Sequence, residues 1–326
     1  MSALLQIEDL KVHFPVRTGR FGGGEGLVKA VDGVTLEIGA HETLAIVGES
    51  GCGKSTMGNA VLGLAPVTEG RIRFDGRDLS DLSAEGRKSV WRDMQVVFQD
   101  PVSALNPRRT IAQSIAEPMV IQGWDRKRIA ARVDELMDQV GLNPDQRNRR
   151  PAALSGGQRQ RVVIARALAL NPRLVICDEP VSALDVSIQS QILNLLMRLQ
   201  REASLSYLFI SHDLSVVRHI ADRVAVMYLG LVVEQGPAAE VFANPVHPYT
   251  QALLSAIPQP DPRGRAERRR ILLQGDLPSP MDPPAGCPFV TRCPLAEPRC
   301  GQARPPLTDH GAGHHVRCVV RQPAEA

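Results

Sequence analysis

Gly48-Glu-Ser-Gly-Cys-Gly-Lys-Ser-Thr56 is the stretch from which the rest of the chain can be read. Gly48, Gly51 and Gly53 let the backbone around Glu49, Ser50 and Cys52 curl so that its N–H groups face a β- and γ-phosphate, and a helix beginning at Lys54 presents its positive end to the same anion. Lys54 would bridge the phosphate oxygens, while Ser55, followed by Thr56, offers a hydroxyl to Mg2+. A glycine turn that merely caps a helix would satisfy the same letters. The flanks favour the phosphate reading: Thr43–Val47 is an apolar strand running into the loop, and Lys54–Leu64 has the pattern of a helix.

Two further stretches carry chemistry. Leu174-Val-Ile-Cys-Asp178 is an apolar strand tipped by an acid, with Glu179 next to it. An Asp at such a tip holds Mg2+ through water, and the adjacent Glu polarises an attacking water. Alone, the acid would be a loop residue or helix cap; downstream of a phosphate loop it becomes a catalytic candidate. Between them, Leu154-Ser-Gly-Gly-Gln158 opens a helix, so that Ser155, Gly156, Gly157 and Gln158 again expose backbone donors to an anion.

Working outward, Leu4–Phe14 and Ala30–Ile38 alternate as antiparallel strands, with a glycine-rich loop over Thr18–Gly26. Arg87–Gln139 holds the patterns of two or three helices, with breaks at Asp100–Pro107 and at Pro118. Helices over Leu154–Leu170, Val186–Glu202 and Leu214–Ala221 interleave with strands at Leu174–Cys177 and Tyr207–Ile210, and Arg223–Glu234 reads as a hairpin. Strands alternating with helices imply a doubly wound α/β sheet. After Gly236 prolines become frequent, Arg263–Arg270 is a basic run, and Cys287, Cys293, Cys300 and Cys318 follow. Residues 1–237 are therefore expected to form one domain with a helical insertion over about 100–160, and residues 238–326 a small second domain with little regular structure.

The bulk properties exclude several classes. Hydrophobic residues are 43% and charged residues 22% of the 326, which argues against wholesale disorder. A net charge of +3, from 38 Lys and Arg against 35 Asp and Glu, is too small to imply nucleic acid. No basic start is followed by a long apolar stretch, and no run reaches about 20 apolar residues, so a cytosolic chain is expected, with any membrane work left to other subunits.

The order of phosphate loop, Leu154–Gln158 and acidic strand resembles the ATP-binding-cassette nucleotide-binding domains, over Leu4–Gly236. The resemblance implies a P-loop NTPase (RecA-like) core with an antiparallel β subdomain and a helical subdomain, followed by the small irregular Cys-rich domain. It also implies ATP sandwiched between two cassettes, the phosphate loop of one facing Ser155–Gln158 of the other. Gln99, in Phe98-Gln-Asp-Pro101, matches the Q-loop that contacts Mg2+ and the attacking water, and joins Ser55 and Asp178 as a Mg2+ ligand. Glu179 matches the catalytic base. Asp185, closing Ser182-Ala-Leu-Asp185, matches the loop at the dimer seam, and His212, in Ser211-His-Asp213, the switch histidine at the γ-phosphate. A lone His after a strand is otherwise a structural hydrogen-bonder. The family stacks adenine on an aromatic residue near the first strand; Phe14 is the nearest match and Phe21 the second, a core role for Phe14 being the alternative.

Phe98–Arg109, Asp178–Leu196 and Val241–Pro258 look like the ATPases of bacterial oligopeptide and dipeptide importers, a group that also serves nickel and glutathione. This implies ATP hydrolysis powering peptide import from the cytoplasmic face of the membrane. The implied partners are a second, paralogous ATPase chain, two transmembrane permease subunits and, indirectly, a substrate-binding protein, with no nucleic acid. Alternatives are a nickel or glutathione importer of the same group, or a non-transport cassette acting on nucleic acid through Arg147–Arg150 and Arg263–Arg270. The cysteine gaps fit neither zinc-finger pairs nor ferredoxin runs, yet four such thiolates can surround a soft metal. In the resembling importers this set binds a 4Fe–4S cluster; zinc, or free or disulfide-linked cysteines, are the alternatives.

Overall fold

A computed structural model describes residues 3–17, 25–257 and 271–322. The alternation of Leu5, Ile7, Leu10 and Val12 produces β1 (Leu5–Arg17), paired antiparallel with β2 (Glu25–Ile38) from Leu5↔Ile38 to Arg17↔Glu25. The break in alternation becomes a bulge: the register shifts between Ile7 and Leu10, where Asp9 takes a φ of +45°. Two further shifts lie between Leu10 and Lys11 and between Val12 and His13, the last just before Phe14. β2 begins inside the expected loop; residues 18–24 of that loop, Phe21 among them, lie outside the described residues.

β3 (Thr43–Val47) is buried throughout and leads through the phosphate loop into α1 (Lys54–Val61). β4 (Glu69–Phe74) and β5 (Arg77–Asp78), which no alternation announced, complete a four-stranded sheet ordered β2-β1-β4-β5. The expected helical insertion is more varied than its periodicity indicated. It is preceded by α2 (Ala84–Asp93) and the strand β6 (Met94–Val97), and it opens with a short α3 (Pro101–Ala104) before α4 (Ile111–Ile121) and α5 (Arg126–Gln139). β6 escapes notice because four residues carry no usable period; parallel pairing with a later strand makes it one. Pro118 does not break α4. It removes one helical hydrogen bond, but Ile111, Ile115 and Met119 are fully buried, and that packing holds the helix through the proline.

α6 (Gly156–Ala167), β7 (Leu174–Asp178), α7 (Val186–Ala203) and β8 (Ser206–Ser211) follow as expected. β6, β7 and β8 run parallel, Cys177 lying opposite both Val97 and Phe209. Their residues are almost all buried, which explains the continuous apolar runs. After α8 (Leu214–Ile220), β9 (Arg223–Tyr228) and β10 (Leu231–Pro237) form the expected hairpin, and β9 also runs parallel to β3.

The tail is more regular than expected. α9 (Ala238–Ala243) and α10 (Pro248–Ser255) are helices, Pro248 standing at the first turn where its missing N–H costs nothing. β11 (Thr308–Asp309) and β12 (His315–Val316) extend a sheet, since Glu234 of β10 pairs with Val316. Pro258, Pro260, Pro262 and Arg263–Arg270 lie outside the described residues.

The chain divides into two compact units. One, residues 39–43 and 81–210, holds α2–α7 and β6–β8. The other, residues 2–38, 44–80 and 211–326, holds the four-stranded sheet, the phosphate loop, the β9–β10 hairpin and the tail. Among the described residues no helix is long and apolar enough to cross a membrane.

Candidate nucleotide-binding site

In the second unit the phosphate loop is shaped by two glycines that nothing else can replace. A Cβ on Gly48 would stand 2.2 Å from the Met227 carbonyl oxygen, and one on Gly53 would stand 2.0 Å from that of Ala30. Gly53 also has a φ of +105° as the N-cap of α1, and it supplies no side-chain cap. No acidic residue lies in the first turn of α1. The helix start thus carries neither a side-chain cap nor a carboxylate that would compete with an anion there. Lys54, 5% exposed, donates from Nζ to the carbonyls of Gly48 (2.8 Å) and Glu49 (2.9 Å), so its ammonium is folded across the loop. Ser50, Gly51 and Ser55 are exposed and Thr56 is half-buried. Cys52 is buried, which pushes its thiol up and makes it a packing residue.

Phe14 in β1 is half-buried. Beside it, His13 Nε2 lies 3.0 Å from Asp32 Oδ1. His212 is exposed at the turn after β8. Its neighbour Asp213 caps α8, accepting the Ser215 N–H at 2.8 Å, so the aspartate of that motif is structural.

In the first unit β7 brings Asp178 and Glu179 to its tip. Glu179 has a φ of +47°, a strained backbone for a residue with a side chain, and its N–H donates to the Ile210 carbonyl at 2.9 Å. Gln99 Nε2 donates to Glu179 Oε2 at 3.0 Å, uniting the predicted Q-loop with the predicted base. The Asp178 carboxylate and the Gln99 amide oxygen of this unit, like the Ser55 hydroxyl of the other, are hard oxygen donors of the kind Mg2+ takes.

Ser155 caps α6 in a reciprocal box: its Oγ accepts the Gln158 N–H at 3.3 Å and its own N–H donates to Gln158 Oε1 at 3.0 Å. Gly156 packs where a Cβ would meet Leu184 at 3.4 Å, and Gly157 where one would meet Ile188 at 2.6 Å. Ser155 and Gly156 face solvent, as do Asp185 and Val186 at the start of α7. Gln189 Nε2 donates to the carbonyls of Val181 and Leu184, pinning the loop that carries Asp185.

The tail cysteines do not match their expectation so well. All four are free thiols, and among the described residues no group of three or more His, Cys, Asp or Glu side chains is placed to hold a metal ion. Burial pushes the Cys287 thiol up to about 11 and raises Cys293, so both are neutral as they stand. The expected iron–sulfur or zinc centre therefore has no support from this geometry. Arg147, offered to nucleic acid by the rival reading, is ion-paired with Asp134.

The residues that sequence reasoning missed are Arg292, Tyr228 and Tyr249. Arg292 Nη1 and Nη2 donate to the Glu49 carboxylate at 2.7 and 3.2 Å, and Tyr249 Oη accepts the Glu49 N–H at 2.9 Å. The only signal for them was the position of Tyr249 in Val241–Pro258, a stretch set apart for its family likeness alone.

Comparison with known proteins agrees with this geometry. The ABC transporter family matches residues 31–182, and the oligopeptide/dipeptide transporter C-terminal region matches residues 233–300. The oligopeptide transport ATP-binding protein AppF of Bacillus subtilis is 53% identical, across 97% of this chain and 96% of its own length. OppF of Salmonella typhimurium is 52% identical across 98% of this chain and 97% of its own, and the dipeptide transport ATP-binding protein DppF of Escherichia coli 50% identical across 97% and 94%. The dimeric, post-hydrolysis structure of the ATP-binding cassette MJ0796 bound to ADP and Pi has a TM-score of 0.63 at 29% identity, covering 72% of this chain and 98% of that one. With the nucleotide loop, the strained acid and the importer-type tail all on one chain, the protein belongs to the ABC transporter ATPases, in the group of oligopeptide and dipeptide transport ATP-binding proteins.

Proposed function

We propose that this chain is the ATP-hydrolysing subunit of a peptide importer. The observation that carries this reading is the reach of the likeness: at 52% identity to an oligopeptide transport subunit, it spans cassette and tail alike over 98% of the chain.

In this reading Gly48–Thr56 cradles the triphosphate, and Lys54 leaves its two carbonyl partners for the β- and γ-oxygens. Ser55, Asp178 and Gln99 would hold Mg2+, which would supply charge neutralisation for the triphosphate. Glu179 orients and deprotonates the attacking water, and Gln99 holds the Glu179 carboxylate in place for it. His212 reaches the γ-phosphate, and Phe14 offers its half-exposed ring to adenine. Ser155, Gly156, Gly157 and Gln158 serve the nucleotide of a neighbouring cassette, with Asp185 at the seam between the two. The exposure of Ser155, Gly156 and Asp185 supports this, because groups meant for a partner must be left uncovered.

The cassette occupies residues 1–237 and the importer-type tail 238–326. The chain works at the cytoplasmic face of the membrane, paired with a second ATPase chain and two permeases. For the tail, the finer proposal is a soft-metal or iron–sulfur centre at Cys287, Cys293, Cys300 and Cys318, supported only by the likeness of this region to the importer C-terminal family. Iron, zinc and acid-labile sulfide measured on anaerobically purified protein test it; stoichiometric absence of all three removes it.

The test of the main reading is reconstitution. The complex purified with its permeases should take up labelled peptide only with MgATP present. Uptake of Ni2+ or glutathione with no peptide uptake, or ATPase activity stimulated by DNA alone, would replace peptide import with one of its rivals.

A further inference from the structure

Arg292 lies in the tail between Cys287 and Cys293, yet its guanidinium closes on the second residue of the phosphate loop. The contact with Glu49 is bidentate, at 2.7 and 3.2 Å, and the two side chains are 10% and 31% exposed. Nη1 also lies 3.5 Å from Tyr228 Oη, and the guanidinium carbon stands 5.9 Å from the Tyr228 ring centre. Tyr228, Tyr249 and Phe289 pack against one another with ring centres 4.7, 5.2 and 5.4 Å apart, making an apolar floor beneath the pair. Tyr249 grips the other end of Glu49 by accepting its N–H. The tail is fastened to β2 as well: Lys29 N–H donates to the Pro280 carbonyl at 3.0 Å, and Arg304 Nη1 to the Asp32 carbonyl at 2.9 Å.

We propose that Arg292 is a positioning residue for ATP, which draws the Glu49 carboxylate away from the phosphate cradle and neutralises it. The proposal rests on the reading of Gly48–Thr56 as the triphosphate site. A carboxylate at the second position of a loop built to hold a polyanion is an electrostatic conflict unless a cation holds it aside. Arg suits this task better than Lys because its planar fork engages both carboxylate oxygens at once. Since Arg292 holds a side chain of the phosphate loop and not the proposed base, its effect falls on nucleotide affinity and not on the bond-breaking step.

The experiment measures MgATP affinity of the full-length chain and steady-state ATPase of the assembled transporter. R292Q should weaken MgATP binding and raise KM about tenfold with kcat held within about twofold, the signature of lost uniform binding. R292K, with charge but no fork, should fall between R292Q and wild type. The decisive variant is R292Q/E49Q: with the carboxylate gone the conflict goes too, and KM should return to within about threefold of wild type. If R292Q fails to fold, R292M, which keeps the stem over the aromatic floor, carries the same test. Unchanged affinity in R292Q, or a double variant no better than the single one, overturns the proposal. A merely structural Arg292 would lower Tm equally in both variants and leave KM alone. Lys54→Ala separates the two levels: if it still binds MgATP at wild-type affinity, the reading of the loop itself fails.

Discussion

Gln99 and Glu179, eighty positions apart in sequence, are joined by a 3.0 Å hydrogen bond from the Gln99 amide to Glu179 Oε2. The bond orients the carboxylate of the residue proposed as general base, and such a base works only when it is held in a fixed geometry. Glu179→Gln should therefore lower kcat by about 10²–10⁴-fold while MgATP still binds. ATPase turnover measured beside nucleotide binding checks this; turnover within a few-fold of wild type would remove Glu179 from the base's role.

Gly53 combines a φ of +105° with a Cβ position only 2.0 Å from the Ala30 carbonyl oxygen. Gly53→Ala should cost about 1–3 kcal/mol from the backbone conformation, with the overlap adding to it. Denaturant unfolding measures the loss, and nucleotide binding should fall with it because the same atoms shape the cradle.

Gly157 packs so closely on Ile188 that a Cβ would come within 2.6 Å. Gly157→Ala must shift α6 against the first turn of α7, disturbing both the exposed donors at Ser155 and the loop ending at Asp185. Turnover in the assembled complex should drop about 10²-fold, the order seen when a preorganised donor is lost. MgATP binding by the isolated chain should persist, since its own phosphate loop is untouched. Loss of binding in the isolated chain would contradict the division between the two cassettes.

His247 is fully buried, and burial lowers its pKa from 6.5 to about 4, with the Glu234 carboxylate opposing the shift. In the folded chain it is neutral in this range: Nδ1 accepts the Tyr249 N–H at 3.1 Å, and its backbone N–H donates to Glu234 Oε2 at 3.0 Å. The unfolded chain takes up the proton near pH 6.5 and the folded chain resists until near pH 4, so stability falls as pH drops through that window. The contribution reaches about 3 kcal/mol at the acid end. His247→Asn keeps a capping acceptor but cannot titrate, and should flatten the stability profile between pH 6.5 and 4 in urea unfolding; an unchanged slope would assign the acid sensitivity elsewhere.

The local chemistry was legible in the sequence, and the structure bears out the elements that depend on it. A strand, a glycine loop and a helix in immediate succession specify a phosphate cradle because glycine φ values and helix N-termini are properties of neighbouring residues. The apolar runs Thr43–Val47, Leu174–Cys177 and Tyr207–Ile210 became buried parallel strands for a similarly local reason, their lack of any polar face. β6 and β12 were illegible because strands of four and two residues exist only through a partner from a distant part of the chain. Pro118 misled because the packing that outweighs a lost helical hydrogen bond comes from side chains, not from the local backbone.

What the sequence determined by itself is the family and its ATPase class, since both rest on short motifs and on the order in which they follow one another along the chain. What only the tertiary structure decided is which of those motifs hold one another: Gln99 on Glu179, Tyr249 and Arg292 on Glu49. Charge pairing and side-chain hydrogen bonds act over about 3 Å of space whatever the distance along the chain. An arginine among tail cysteines carries no local mark of the loop it steadies.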